Sequence, residues 1–312
     1  MTDTSWLPNF IIAGAPKAGT SSMHAWIADH PDAFGSREKE TYFFVDPGTH
    51  MYRPDAHVSG GLKAYREQFP IPEGTSPSII LESTPAYLYY DIALAQIPDL
   101  PTQPRCLFIL REPAAQIYSL YTYFRDNWSW IPGDMDFAAF IAAAREGSHD
   151  FNGNELARNA IAYAKYVDYL IPWRERLGAD QMMVMTFNEF TADQAAATKR
   201  VAEWLGLDPA FYDNYTFPRE NETYAPRNRA LQKVNVVVRG LLPRGAIYEN
   251  LRGIYRKLNT RKPTGPVEDE KALINSLRPE FAEANARLAA EFGLDLSGWD
   301  VERAGAEPRP AA

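Results

Sequence analysis

Up to about Phe217, short apolar runs alternate with amphipathic stretches. Asn9–Gly14 hardly alternates in polarity, as a strand buried on both faces does. A glycine-containing turn, Ala15–Thr20, leads into a predicted helix from about Ser21 to Asp29, stopped before Pro31. Glu40–Val45 reads as a short strand or extended piece, Leu62–Phe69 as helical, and Ser78–Glu82 and Arg105–Arg111 as further buried strands. Pro113 suits the first turn of a helix running to about Asp126. Apolar residues at three- and four-residue spacing predict helices over Phe137–Arg145 and Glu155–Leu177. Gln181–Phe187 reads as another strand, and Ala192–Leu205 as a helix ending at Gly206. Beyond Phe217 the strand signal stops, and helices are expected near Ala230–Leu242, Ala246–Leu258 and Asp269–Phe292.

Strands alternating with helices predict an α/β fold, a parallel sheet flanked by helices on both faces, with a helical C-terminal region. We expect one domain over residues 1–302, mostly helical from 219, and a disordered tail over 303–312, where Pro308 and Pro310 stand.

Composition narrows the class. The apolar fraction of 46% and charged fraction of 23% are ordinary for a globular chain. The single cysteine, Cys106, excludes an internal disulfide framework and a multi-cysteine metal cluster, and makes a reduced cytoplasm the default. Met1–Pro8 lacks the basic and long apolar regions of a secretion signal. No apolar run approaches the roughly 20 residues of a membrane span. A net charge of −8 argues against nucleic acid as a partner. The charge is uneven: Arg227 to Lys262 holds ten Lys/Arg against Glu249 alone, a window of +9 on a remainder of −17. Within it, 234–258 mixes the apolar triplet Val236-Val237-Val238 and the pair Leu241-Leu242 with arginines. Such a segment packs on the sheet with its arginines in water, or rests peripherally on an anionic lipid surface.

Gly14-Ala15-Pro16-Lys17-Ala18-Gly19-Thr20-Ser21-Ser22 resembles a nucleotide-binding P-loop as far as its second glycine. There it departs, because Thr20 stands where that loop has lysine, and Lys17 lies inside the turn. The physical parts of an anion cradle are still present. Backbone amides from Ala18 to Ser22 would converge at a helix N-terminus, Thr20 and Ser21 add hydroxyls, and Lys17 adds a cation. Glu82 is the one strand-end acid available to a metal, so no metal site is expected. A P-loop kinase or other phosphotransferase and a non-catalytic nucleotide-binding scaffold are the competing classes.

Pro16-Lys17-Ala18-Gly19-Thr20-Ser21-Ser22 resembles the phosphosulfate loop of sulfotransferases that use 3′-phosphoadenosine 5′-phosphosulfate (PAPS). Leu110-Arg111-Glu112-Pro113, followed by Ser119 and Tyr121, is similar to that family's 3′-phosphate motif. Lys39–Phe44 and Glu82–Tyr87 resemble segments of its bacterial and heparan-sulfate-type branch. The likeness covers most of Asn9 to about Trp299 and is looser after Phe217. It implies a P-loop-like fold and transfer of a sulfuryl group from PAPS to an acceptor hydroxyl, leaving 3′,5′-ADP without a metal. It further implies that Lys17 supports the leaving oxygen and that Ala18, Gly19, Thr20, Ser21 and Ser22 hold the 5′-phosphate. Arg111 and Ser119 would hold the 3′-phosphate, Arg227 would close over the nucleotide, and Glu40 would be the general base. Tyr42, Glu82, Ser83 and Tyr87 are candidates for the acceptor side. Heparan-sulfate relatives carry His and Lys where Tyr42 and Ser83 stand, which leaves the acceptor open among small molecules, carbohydrates and lipids. His50 and His57 are the alternative bases. Trp128 and Trp130 are candidate lids.

Overall fold

A computed structural model of the chain describes residues 4–218, 225–226, 231, 259–261 and 265–299. Its five-stranded sheet is parallel throughout: β1 (Phe10–Gly14), β2 (Ala33–Gly35), β3 (Ile79–Glu82), β4 (Arg105–Leu110) and β5 (Met182–Thr186), in the order β2-β3-β1-β4-β5. After β1 the chain runs out to the edge as β2, returns to place β3 between β2 and β1, and then crosses to place β4 on the other side of β1. That reversal opens a crevice beyond the C-terminal ends of β1 and β4, where ligands bind in open α/β sheets.

The central strand shows why both faces are covered. Phe10 and Ile12 point into one core with Met23, Trp26 and Ile27 of α1 (Thr20–Ala28). Ile11 and Ala13 point into the other with Tyr65 of α2 (Lys63–Arg66), Ala93 of α3 (Asp91–Gln96), and Ile117 and Leu120 of α4 (Pro113–Tyr123). That second core continues through α5 (Phe137–Glu146), α6 (Glu155–Arg158), α7 (Ala160–Tyr163) and α8 (Val167–Leu177). After β5 come α9 (Phe187–Ala192) and α10 (Gln194–Leu205), whose Val201 and Leu205 pack beside α1, and Gly206 ends α10 at φ +81. Alternate side chains of β1 therefore fill two cores, which is why its sequence shows no polar face.

Several expectations need correction. Glu40–Val45 is not a strand, because Tyr42 has a left-handed backbone at φ +52 and its neighbours turn, burying Phe43, Phe44 and Val45 as loop residues. The remaining strand of the sheet is β2, a three-residue edge piece. Leu62–Phe69 shortens to the single turn of α2. Glu155–Leu177 divides into α6, α7 and α8, with breaks at Asn159 and at 164–166. The long C-terminal helix divides at Pro279 into α11 (Glu268–Leu277) and α12 (Ala282–Phe292), joined by a tighter turn at Arg278–Phe281. Strand pairing also does not end at Phe217: Ala225–Pro226 (β6) pairs antiparallel with Thr260–Arg261 (β7).

Ile274, Leu277, Phe281, Leu288 and Trp299 join the same core as the sheet. Arg227, nearly all of the helices expected at 230–242 and 246–258, and the tail 303–312 lie outside the described residues. Among the described residues, no helix is long and apolar enough to cross a membrane.

Candidate active site

The turn between β1 and α1 lies in the crevice. Ala15 is tied to the neighbouring strand by its amide, which donates to the Ile109 carbonyl at 2.8 Å. Lys17 takes φ +66, a left-handed conformation that costs a lysine free energy and is found where the surroundings impose it. Gly19 takes φ +86 as the N-cap of α1, and a Cβ there would lie 2.7 Å from Cε1 of Phe190. Both the backbone and the neighbouring ring therefore require glycine. Thr20 is buried, whereas Ser21 and Ser22 keep partial exposure at the mouth of the helix. Of the amides expected to form the cradle, that of Ser22 turns back to the Gly19 carbonyl at 3.1 Å, which leaves Ser22 its hydroxyl.

The residues after β4 close the other wall. Arg111 donates to the Lys17 carbonyl at 3.3 Å, lies 5.1 Å from the centre of the Phe187 ring, and has its own carbonyl bonded by the Tyr166 hydroxyl at 2.9 Å. Glu112 caps α4, accepting from the amides of Ala114 at 3.0 Å and Ala115 at 2.8 Å, and also pairs with Arg278. Ser119 lies two turns along α4 and is partly exposed. Gln116, which no local pattern singles out, donates to the Pro16 carbonyl at 3.3 Å.

Lys17 links these walls to the acidic side of the site. Its ammonium stands 3.9 Å from the centre of the Tyr123 ring. Burial, reinforced by Arg111 and opposed by Glu40, lowers its pKa to about 8. Glu40 accepts from Lys39 at 2.9 Å on one oxygen and from the Tyr42 hydroxyl on the other. Burial opposes ionisation there, but Lys39, the Tyr42 hydroxyl and Lys17 outweigh it and hold the carboxyl below its usual range. Glu40 thus stays a carboxylate, one-third exposed, within the electrostatic reach of Lys17.

The other acceptor-side candidates lie deeper. Glu82, Ser83 and Tyr87 are all completely buried beneath the loop that carries Glu40. The Tyr87 oxygen accepts from the amides of Phe43 at 3.0 Å and Phe44 at 3.3 Å, so this ring holds the loop. The histidines are committed elsewhere. His57 donates through Nε2 to the Val45 carbonyl at 2.9 Å, and its Nδ1 accepts from the Ser59 amide at 3.2 Å. His50 donates through Nδ1 to Glu155 at 2.8 Å, and that carboxylate also accepts from Tyr90. Burial, then Lys39, lowers the pKa of His24 to about 3 and keeps it neutral. Trp128 ends a single π-helical turn that continues α4, and stacks on Trp130 at 4.8 Å; Trp130 in turn packs against His50.

The family described as Sulfotransferase domain matches residues 7–217. Over 215 residues the chain is 24% identical to the human bifunctional heparan sulfate N-deacetylase/N-sulfotransferase 2, covering 67% of this chain and 23% of that protein. It is 27% identical over 217 residues to the mouse heparan sulfate glucosamine 3-O-sulfotransferase 3B1, covering 67% and 50%. The chain therefore matches between about a quarter and a half of the length of these curated relatives. The crystal structure of a sulfotransferase from Alicyclobacillus acidocaldarius superposes with a TM-score of 0.64 at 20% identity, over 94% of this chain and 98% of that one, and so shares the fold. With more than half of its length matched, from ahead of β1 to beyond α10, the chain belongs to the sulfotransferase domain family.

Proposed function

We propose that the chain transfers a sulfuryl group from PAPS to an acceptor hydroxyl by in-line displacement, with Glu40 as general base. One observation carries this reading: Lys17 is a partly buried cation placed beside a second, Arg111, at the N-terminal end of α1. Two like charges held together in a half-buried crevice call for an anion, and the positive helix end favours one too. A nucleotide bearing phosphates at both its 5′ and 3′ positions fits such a donor set.

Lys17, Thr20 and Ser21, with the amides of Ala18 and Gly19 and the hydroxyl of Ser22, hold the 5′ end, and Arg111 with Ser119 the 3′-phosphate. Arg227 belongs to the same proposal, although it lies outside the described residues. PAPS supplies, when bound, a sulfuryl group already activated for transfer. The protein's part is to align the reacting oxygens, neutralise charge on the leaving phosphate and remove the acceptor proton. Lys17 neutralises that charge, and Glu40, held ionised, takes the proton. With His50 and His57 bonded elsewhere, the carboxylate is the base that the geometry favours. The acceptor is a small molecule, a carbohydrate or a lipid-type alcohol. We place all of this in one domain over 1–302. A lone, buried Cys106 fits a reducing compartment such as the cytoplasm.

Ligand protection tests the donor. At a hundred times its Kd, 3′,5′-ADP should add about 2.7 kcal/mol to stability, and ATP should add none. Protection by ATP alone would favour the kinase reading. Glu40→Gln tests the base: kcat should fall roughly 10²- to 10⁴-fold with donor affinity unchanged. Full turnover in that variant would move the proton to another group.

A further inference from the structure

The site as described leaves Glu82 without a task. This residue ends β3, is completely buried, and receives the Thr41 hydroxyl proton on Oε2 while Oε1 has no hydrogen-bond partner. The surrounding hydrogen bonds run in one direction. The Phe43 and Phe44 amides donate to the Tyr87 oxygen, which leaves the Tyr87 proton for Thr41 Oγ1 at 3.1 Å. The Thr41 proton is then free to go to Glu82. One residue along, the Ser83 amide donates to the Lys39 carbonyl at 3.0 Å. The end of β3 thus grips the chain at Lys39 and at Thr41, the two neighbours of Glu40. Arg53 adds a third hold on the Thr41 carbonyl, at 2.9 Å.

We infer that Glu82 is a positioning residue: by accepting from Thr41 it fixes the loop on which Glu40 stands, and so the direction in which the Glu40 carboxylate faces. The inference rests on the reading of Glu40 as the base. The groups that face Glu82 are Thr41 and Glu40 from the loop, Tyr65 from α2, Tyr87 from the turn after β3 and Cys106 from β4; none is a cation. Burial without a counterion pushes the carboxyl up to about 7. A neutral carboxylic acid suits the place, since one oxygen accepts from Thr41 while the other, which accepts from no neighbour, is left to carry the proton. A glutamine side chain offers the same acceptor and donor without charge, whereas leucine offers neither.

The test compares Glu82→Gln, Glu82→Leu and Thr41→Val, the last removing the same bond from the loop side should Glu82→Leu fail to fold. Hydrogen exchange at the Phe43 and Phe44 amides needs no acceptor substrate. It should accelerate at least tenfold in Glu82→Leu and Thr41→Val, and stay within threefold of wild type in Glu82→Gln. Turnover of PAPS to 3′,5′-ADP with any alcohol that the wild type accepts should follow the same order. In the leucine and valine variants kcat should fall at least tenfold, Glu82→Gln should restore it, and 3′,5′-ADP affinity should stay within twofold throughout. Unchanged exchange and kcat in a folded Thr41→Val or Glu82→Leu variant would overturn the inference. So would a glutamine variant that protects both amides yet is as slow as the leucine one, since Glu82 would then act through its charge. Wild-type protein that fails to bind 3′,5′-ADP would instead refute the proposed function, while the exchange arm would still decide whether Glu82 holds the loop.

Discussion

At Lys17, burial and the neighbouring Arg111 set the ammonium's pKa near 8, against 10.5 for an ordinary lysine. A nucleotide anion arriving beside it favours the charged form, so binding restores that proton when the solution is too basic for the free site to hold it. Calorimetry of 3′,5′-ADP binding at pH 8.5 in buffers of different ionisation enthalpy should show uptake of up to one proton, vanishing at pH 6.5 and in Lys17→Met. Glu82 has the opposite sign of linkage. Its carboxyl is raised to about 7 in the fold from 4.5, so the fold holds that proton more tightly than the unfolded chain does. Stability is therefore lost as pH climbs from about 4.5 through about 7, by roughly 3 kcal/mol at most, and is flat above. Glu82→Gln should remove that slope in denaturant titrations at pH 5 and pH 8. The sequence made Lys17, Thr20, Arg111 and Glu40 visible, because each sits in a short local pattern. It did not make Gln116 or Tyr123 visible: a glutamine on a helix carries no mark that it will bond the Pro16 carbonyl a hundred residues away.

Elements were legible where local chemistry decides them. β1 and β4 are apolar on both faces, Pro113 opens α4, and Gly206 closes α10, so their limits follow from neighbouring residues alone. β2 was not legible, since three half-buried residues owe their strand geometry to pairing with β3 across the chain. The misreading of Glu40–Val45 has the converse cause. Its aromatic and β-branched residues resemble a strand, but they enter the core from a loop whose path is set by the bonds to Tyr87 and by Tyr42 at φ +52. At the turn into α1, the glycine is fixed by packing as much as by conformation. Gly19→Ala would force a side chain into left-handed backbone and to within 2.7 Å of the Phe190 ring. The left-handed geometry alone costs about 1–2 kcal/mol, and the shifted loop moves Lys17. Denaturant unfolding should show at least that loss, and 3′,5′-ADP affinity should fall at least tenfold. Retained affinity would mean that the turn reforms around an alanine and that its backbone does not hold the nucleotide.

For the molecule as a whole, the question is whether the C-terminal helices are a passenger or part of the body that holds the site. Phe281, between α11 and α12, is completely buried in the same core as Ile11, Phe108 and Trp173. Arg278, three residues earlier, pairs with Glu112, the cap that immediately follows Arg111. Losing contacts at Phe281 should therefore be felt at the sheet's C-terminal edge. Phe281→Ala removes a buried ring, at a cost of about 3–5 kcal/mol. If 1–302 is one domain, that loss appears as a shift of one cooperative transition, with the same midpoint by tryptophan fluorescence and by far-UV circular dichroism. The shifted transition should still rise when 3′,5′-ADP is added, because ligand and helices stabilise the same folded state. Two separated transitions, with only the upper one raised by the nucleotide, would make α11 and α12 an independent unit resting on the sheet.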